Sequence, residues 1–177
     1  MIQFKGFITN LGKYNESELI GKWIDFPIDE DDLEKVLEEI GINEEYEEYF
    51  FTDFEDNIFG FGMYESIDNI NYIIEEFEYL CNKYNYIDEI DEIIEILLNE
   101  YNDNIFDLDN ILDKIYFFNG CNTMLDCAYR EIDDLYSYEF RNNSLLGKYF
   151  NYEEYASDME DSGCWFEYSD GMFVIYY

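Results

Sequence analysis

Along Ile87–Tyr101 the sequence reads IDEIDEIIEILLNEY, with apolar residues and carboxylates interleaved at helical spacing. Similar interleaving, at a period of two or 3.6, runs through the whole chain. An ionised carboxylate is costly to bury, so every element that carries acids must turn them outward and set its apolar face against a neighbour. The 44 acidic residues stand against 9 Lys and Arg and no His, a formal net charge of −35 over 177 residues. There are 17 acids and 4 bases in 1–62, 15 and 1 in 63–113, and 12 and 4 in 114–177. This even spread is not that of an acidic tail on a neutral domain. It predicts a fixed surface of negative charge on a folded body.

That charge excludes whole classes of function. Binding to nucleic acid through phosphate neutralisation is ruled out, as is an anionic membrane surface, and the partner is expected to be basic. Without His, Ser-His-Asp and Cys-His catalysis and most zinc sites are excluded, and only carboxylate chemistry remains. Disorder is excluded because 48% of residues are hydrophobic and 21% aromatic. Ten Gly and one Pro leave little for flexible linkers, so any subdivisions are closely joined. The start, MIQFK, has no basic region ahead of an apolar run, and no stretch approaches the ~18 uncharged residues of a membrane span. A soluble, unexported, cytoplasmic protein is expected. Cys81, Cys121, Cys127 and Cys164 form no C-x-x-C pair and read as reduced thiols. No cofactor and no metal are expected.

Local patterns give an α+β chain of three small domains. In 1–62, strands are predicted at Gln3–Thr9, Lys22–Phe26 and Tyr46–Phe54, with a turn at Asn10–Gly12. A helix capped by Asp29 buries Leu33, Val36, Leu37 and Ile40 and stops at Gly41. In 63–113 the period becomes 3.6. Ser66 caps one helix, Ile87–Tyr101 forms a second, and a short third near Leu108–Leu112 completes an acidic bundle. In 114–177 a strand at Ile115–Phe118 precedes a helix capped at Asn122 or Thr123 that runs to Leu135. Another helix is expected near Tyr152–Met159, then a hairpin of Cys164–Tyr168 and Met172–Tyr177 around Ser169-Asp170-Gly171. That last strand is apolar enough either to be a core strand or to be buried against a second copy of the chain.

The charge has a natural comparison. B-DNA carries one charge per ~1.7 Å, so 35 charges match roughly 60 Å of duplex, or about 17 base pairs. On the Ile87–Tyr101 helix, Asp88, Glu92 and Glu95 are stepped by four and three residues, which spaces them about 5–6 Å along the axis. That is close to the phosphate spacing along one strand. Acidic surfaces also serve solubility in halophiles, but the many Phe and Tyr do not suit that adaptation. The sequence therefore favours a mimic of a polyanion.

The segment Asn10-Leu11-Gly12-Lys13-Tyr14-Asn15-Glu16, followed by Leu19, Gly21, Trp23 and Pro27, resembles the ArdA antirestriction proteins. So do Ile40-Gly41-Ile42-Asn43-Glu44-Glu45-Tyr46-Glu47-Glu48-Tyr49 and Asp53-Phe54-Glu55. Leu146-Gly147, Tyr149-Phe150-Asn151-Tyr152, Tyr155 and Asp158-Met159-Glu160 are similar to the family's antirestriction segment, and Gly171–Tyr177 to its final strand. Ser17 stands where the family often has Gly, and Tyr136–Asn143 resembles an enlarged connection. The resemblance implies an elongated three-domain dimer, joined through its C-terminal domain, that mimics bent B-DNA. It implies that this mimic fills the DNA groove formed by the specificity and methyltransferase subunits of Type I restriction-modification enzymes. On this reading Glu44, Glu45, Glu47, Glu48, Asp88, Glu92 and Glu95 stand in for phosphates, with Glu153, Glu154 and Asp158 nearer the dimer contact. Phe173, Ile175 and Tyr177 are expected at that contact.

Three other readings are weaker. A glycosidase needs two carboxyls at a set separation in a cleft, and pairs arise by chance among this many acids. Asp158-x-Glu160-Asp161-x-Gly163 begins as a calcium loop does, but position twelve is Ser169 where a bidentate Glu is required. The mimicry could also be aimed at a nucleoid or other DNA-binding protein.

Overall fold

Asn10 both ends the first strand and caps the first helix, and its side chain bonds to Lys13, Ile40 and Gly41. In the computed structural model, which describes residues 4–101, 104–142 and 144–176, the order is β1 (Phe4–Asn10), α1 (Leu11–Asn15), β2 (Gly21–Phe26), α2 (Glu30–Glu39) and β3 (Tyr49–Glu55). There follow α3 (Ile67–Lys83), α4 (Ile90–Tyr101), a 3-10 turn at Ile105–Asp107, α5 (Leu108–Leu112) and β4 (Ile115–Asn119). The chain continues through α6 (Met124–Asn142), α7 (Ser144–Tyr149), α8 (Tyr152–Glu160), β5 (Gly163–Tyr168) and β6 (Gly171–Tyr176). The α+β class expected from the sequence is the class found.

The chain packs on itself as two compact units, Met1–Asn85 with Leu97–Phe106, and Tyr86–Ile96 with Asp107–Tyr177. The segment 63–113, expected as one bundle, is shared between them: α3 belongs to the first unit, α5 to the second, and the boundary falls inside α4.

In the first unit the sheet order is β2-β1-β3, antiparallel throughout. The register of β1 on β3 shifts between Phe7 and Ile8, leaving Thr52 as the extra residue of a bulge. Its hydroxyl lies 3.2 Å from that of Thr9. Phe4, Ile8, Ile24, Phe26, Phe50 and Phe51 are buried with Ile67, Ile70, Ile74, Phe77 and Leu80 of α3. The Phe4 and Phe77 rings meet edge-on at 5.3 Å. Both expected caps form: Asp32 N–H donates to Asp29 Oδ1 at 2.8 Å and Asn69 N–H to Ser66 Oγ at 3.2 Å. Gly41 follows α2 at φ +80°, the left-handed stop predicted for it.

In the second unit β6 is the central strand, in the order β4-β6-β5. One face places Phe118, Met172 and Val174 against Cys127 and Ala128 of α6 and Ala156 and Met159 of α8. On the other face Phe117, Phe166 and Tyr168 pack their rings round Phe173 at 5.0–6.2 Å.

Several expectations are corrected. Asn10–Gly12 does not turn back; it opens a short helix, since Asn10 Oδ1 accepts the Lys13 N–H at 3.0 Å. β3 begins at Tyr49 instead of Tyr46, because Asn43 Oδ1 accepts the N–H groups of Glu45 and Tyr46 and bends the chain there. α4 begins at Ile90 instead of Ile87, with Glu89 at φ +55° before it. α6 passes Leu135 with a kink at Tyr136 (φ −125°, ψ 16°) and continues to Asn142, and a further helix not expected from the sequence, α7, follows. Asp158 and Glu160 lie inside α8, and Gly163 begins β5, so the calcium-like spacing does not form a loop. Phe173, expected at a contact with a second copy, has no exposed surface in this chain, where it packs among Phe117, Phe166 and Tyr168. Ile175 is half-buried, and Tyr177 lies outside the described residues.

Candidate functional site

No described Asp or Glu is buried, and all 17 acids of 1–62 are exposed. The outward placement follows from the cost of desolvating a carboxylate, and it leaves the surface anionic on element after element. The four lysines of 1–62 are each paired with acids. Lys5 lies 3.9 Å from Asp25 and 3.8 Å from Glu55, its cross-strand neighbours on β2 and β3. Lys22 meets Glu39 at 2.5 Å, Lys35 meets Asp32 at 2.6 Å, and Lys13 meets Glu16 at 2.9 Å. Among the described ion pairs none involves Glu44, Glu45, Glu47 or Glu48.

These four carboxylates share one short segment between α2 and β3, and its backbone is fixed. Besides the Asn43 turn, Asn43 N–H donates to the Tyr46 carbonyl at 2.9 Å and Leu11 N–H to the Glu48 carbonyl at 3.0 Å. Tyr46, in the middle, points its ring back onto α1. Its hydroxyl donates to Glu16 Oε1 at 3.0 Å and accepts from Lys13 Nζ at 3.0 Å, and that ammonium sits 4.3 Å from the ring centroid. Lys13 and then Tyr46 hold the Glu16 carboxyl below its ordinary range, while Tyr46 and then Glu16 raise the Lys13 ammonium. Asn10, with no exposed surface, donates through Nδ2 to the carbonyls of Ile40 and Gly41, both at 3.1 Å. The end of α2 is thus tied to the start of α1, and the acidic segment between α2 and β3 has little freedom. Sequence reasoning assigned no role to Asn10, Lys13, Glu16 or Tyr46 in this clamp. No local pattern signals a contact between residues about 30 positions apart.

In the second unit the expected carboxylates are divided. Asp88 is exposed beside a cleft of about 320 Å³ whose walls include Phe117 and Tyr168, on the Phe173 face of the sheet. Glu92 is half-buried and already engaged: it accepts from Ser169 N–H at 3.1 Å and from Ser169 Oγ at 2.5 Å, bracing the β5–β6 turn. Glu95 is half-buried. Glu153, Glu154 and Asp158 are exposed on α8, which packs the opposite, Val174 face. Asn151 Nδ2 donates to Glu154 Oε2 at 3.1 Å and its Oδ1 accepts the Glu154 N–H at 3.2 Å, so the first turn of α8 is fixed too. The Asp88 and Glu153 groups therefore do not form one continuous cluster. Tyr155, a turn further on, donates to Glu131 Oε2 of α6 at 3.0 Å.

The four cysteines are thiols, and among the described residues no group of three or more His, Cys, Asp or Glu is arranged to hold a metal ion. No described helix is long and apolar enough to cross a membrane. With this geometry in hand, comparison with protein families gives a match to the antirestriction protein (ArdA) family over residues 7–174. No curated protein matches the chain.

Proposed function

Since the chain belongs to the ArdA antirestriction family, we propose that it protects incoming DNA by occupying the DNA-binding groove of a Type I restriction-modification enzyme. Its carboxylates meet the Lys and Arg of the specificity and methyltransferase subunits in place of phosphates. The reading rests above all on the Glu44–Glu48 segment, four exposed carboxylates outside the described ion pairs and held by Asn43, Tyr46 and Leu11. A fixed array loses little conformational freedom on binding, and complementary charge speeds encounter and sets register. Inhibition then needs no covalent step. It is stoichiometric competition with DNA, and it weakens as salt screens the contacts.

Within this reading the protein acts as a homodimer in the cytoplasm, where restriction occurs. Two copies carry about 34 base pairs' worth of charge, which suits an enzyme with a long bipartite site.

The test is the plating efficiency of unmodified phage on a host with a Type I system, with and without the protein expressed, repeated across Type I families. A rise is expected. A flat result in every family, together with competition against DNA on an unrelated DNA-binding protein, would transfer the mimicry to another target.

A further inference from the structure

We propose that the cleft of the second unit beside Tyr86 and Asp88 receives one arginine side chain of the partner protein. Its volume of about 320 Å³ lies at the small end of ligand pockets, the size of a side chain more than of a substrate. Its walls combine what a guanidinium on an apolar stem requires. Phe117 and Tyr168 supply ring surface, their centroids 6.2 Å apart, and Tyr86, 74% exposed, lies at the rim. Asp88 and Asp113 supply carboxylates beside those rings. A planar cation can stack on the aromatic faces and meet a carboxylate at its edge, which an ammonium does less well.

The site is already formed. Tyr168, 8% exposed, donates its hydroxyl hydrogen to Asn119 Oδ1 at 3.1 Å. Glu92 braces the adjoining turn through Ser169. The local field is negative. Burial first, then Asp170, Asp88 and Glu92, push the Tyr168 hydroxyl up to about 12, against which only Arg130 acts in the other direction. Arg130 is itself held by the Asn119 carbonyl oxygen and lies 3.8 Å from Asp134. The cleft is thus an aromatic slot with acid at its edge, Asp88 lying outside the described ion pairs, and that combination suits a cation.

As a contact with a restriction enzyme, the proposal rests on the function argued above. As an arginine site it is tested without that function, by titrating the 15N-labelled full chain with N-acetyl-arginine amide, its lysine counterpart and the uncharged citrulline isostere. Saturable shifts are expected at Tyr86–Asp88, Asn119 and Tyr168, strongest for arginine and absent for citrulline. Tyr86→Ala and Asp88→Asn, both at exposed positions, should each weaken arginine binding about two- to fivefold with the remaining spectrum unchanged. Shifts spread evenly over all acidic faces, equal response to lysine, or undiminished binding in both variants would overturn the site. The wild-type chain is assayed in parallel against a Type I enzyme. Inhibition without arginine binding removes the cleft and leaves the antirestriction reading intact. Arginine binding without inhibition supports the cleft and removes the Type I assignment.

Discussion

A β-carbon on Gly12 would lie 2.3 Å from Cδ1 of the Tyr46 ring, so the first turn of α1 and the acidic segment Glu44–Glu48 are in direct backbone-to-ring contact. Gly12 is helical, and on propensity alone Gly12→Ala would stabilise by about 0.5–1 kcal/mol. Here the methyl must displace the ring and break the Lys13–Tyr46–Glu16 cluster, and a net loss of about 1–3 kcal/mol is expected. Urea denaturation measures it. In a Tyr46→Ala background the clash disappears, so the same Gly12→Ala change should become neutral or stabilising. Gly12→Ala stabilising the native chain would contradict this packing.

Asn10→Ala removes the side-chain partner of the buried Ile40 carbonyl and of the Lys13 N–H, and one of the two side-chain donors to the Gly41 carbonyl, which keeps Asn43 Nδ2 at 3.1 Å. The expected cost is about 2–3 kcal/mol. Asn10→Asp keeps the cap to Lys13 but turns two donated bonds into carboxylate–carbonyl contacts, and at neutral pH it should be the more damaging of the two. Denaturation midpoints for both variants, read at one pH, establish the order. Asp proving milder than Ala would mean the Lys13 cap, not the tie to α2, is what Asn10 contributes.

The parts of this architecture that are legible in the sequence are those set by local chemistry. Asp29, Ser66 and Gly41 mark their helix ends because a cap acts within three or four residues, and the stripe Ile67, Ile70, Ile74, Phe77 and Leu80 is buried as its period requires. What is decided by distant contact is not legible. Nothing near Asn10 announces a bond to Gly41, and nothing near Tyr46 announces Gly12. The same holds for the candidate site. The exposure of Glu44–Glu48 follows from composition, whereas the engagement of Glu92 by Ser169, 77 residues away, depends on the fold of the second unit. Phe173 shows the converse limit: its apolar strand reads equally as core or interface, and its burial within this chain depends on β6 lying between β4 and β5.

Acid should weaken the first unit in part through Glu16. Lys13 and Tyr46 hold its folded pKa below the ordinary value of 4.5, so folding favours the carboxylate. The contribution is fully present above the unfolded pKa and disappears as pH falls through the lower folded one. Glu16→Gln is therefore expected to differ from the native chain near neutrality and to converge with it in strong acid. Denaturation curves across that range test this, and a difference that grows on acidification would refute the assignment.

Alkali should act on the second unit through Tyr155. Burial foremost, and the hydrogen bond to Glu131, push its hydroxyl from the ordinary 10.0 up to about 12, so folding favours the neutral phenol. Its contribution is full below the unfolded pKa and is lost as pH rises through the folded one. Tyr155→Phe, which cannot ionise, should flatten the decline in stability between about pH 10 and 12. Ultraviolet titration should show one fewer late-ionising tyrosine in the variant. An unchanged alkaline limb would mean that other groups set it.

Glu92 and the Glu44–Glu48 segment should separate stability from inhibition. Glu92→Ala removes the acceptor for Ser169 N–H and Oγ, and a loss of about 1–2 kcal/mol is expected from those bonds. Replacing Glu44, Glu45, Glu47 and Glu48 together by Gln touches no described ion pair and relieves like-charge repulsion, so stability should hold or rise slightly. Inhibition of a Type I enzyme should nonetheless fall in the quadruple variant, most clearly at low salt where the lost charges are least screened. Each single Glu→Gln change in that segment should have a small effect, because the contacts are distributed. Thermal melting alongside a DNA-cleavage assay at two ionic strengths distinguishes the two roles. If one of the four single changes abolished inhibition, a specific contact would have to replace distributed mimicry. If the quadruple variant inhibited like the native chain at every salt concentration, the working surface would lie elsewhere, with the exposed acids of α8 next in line.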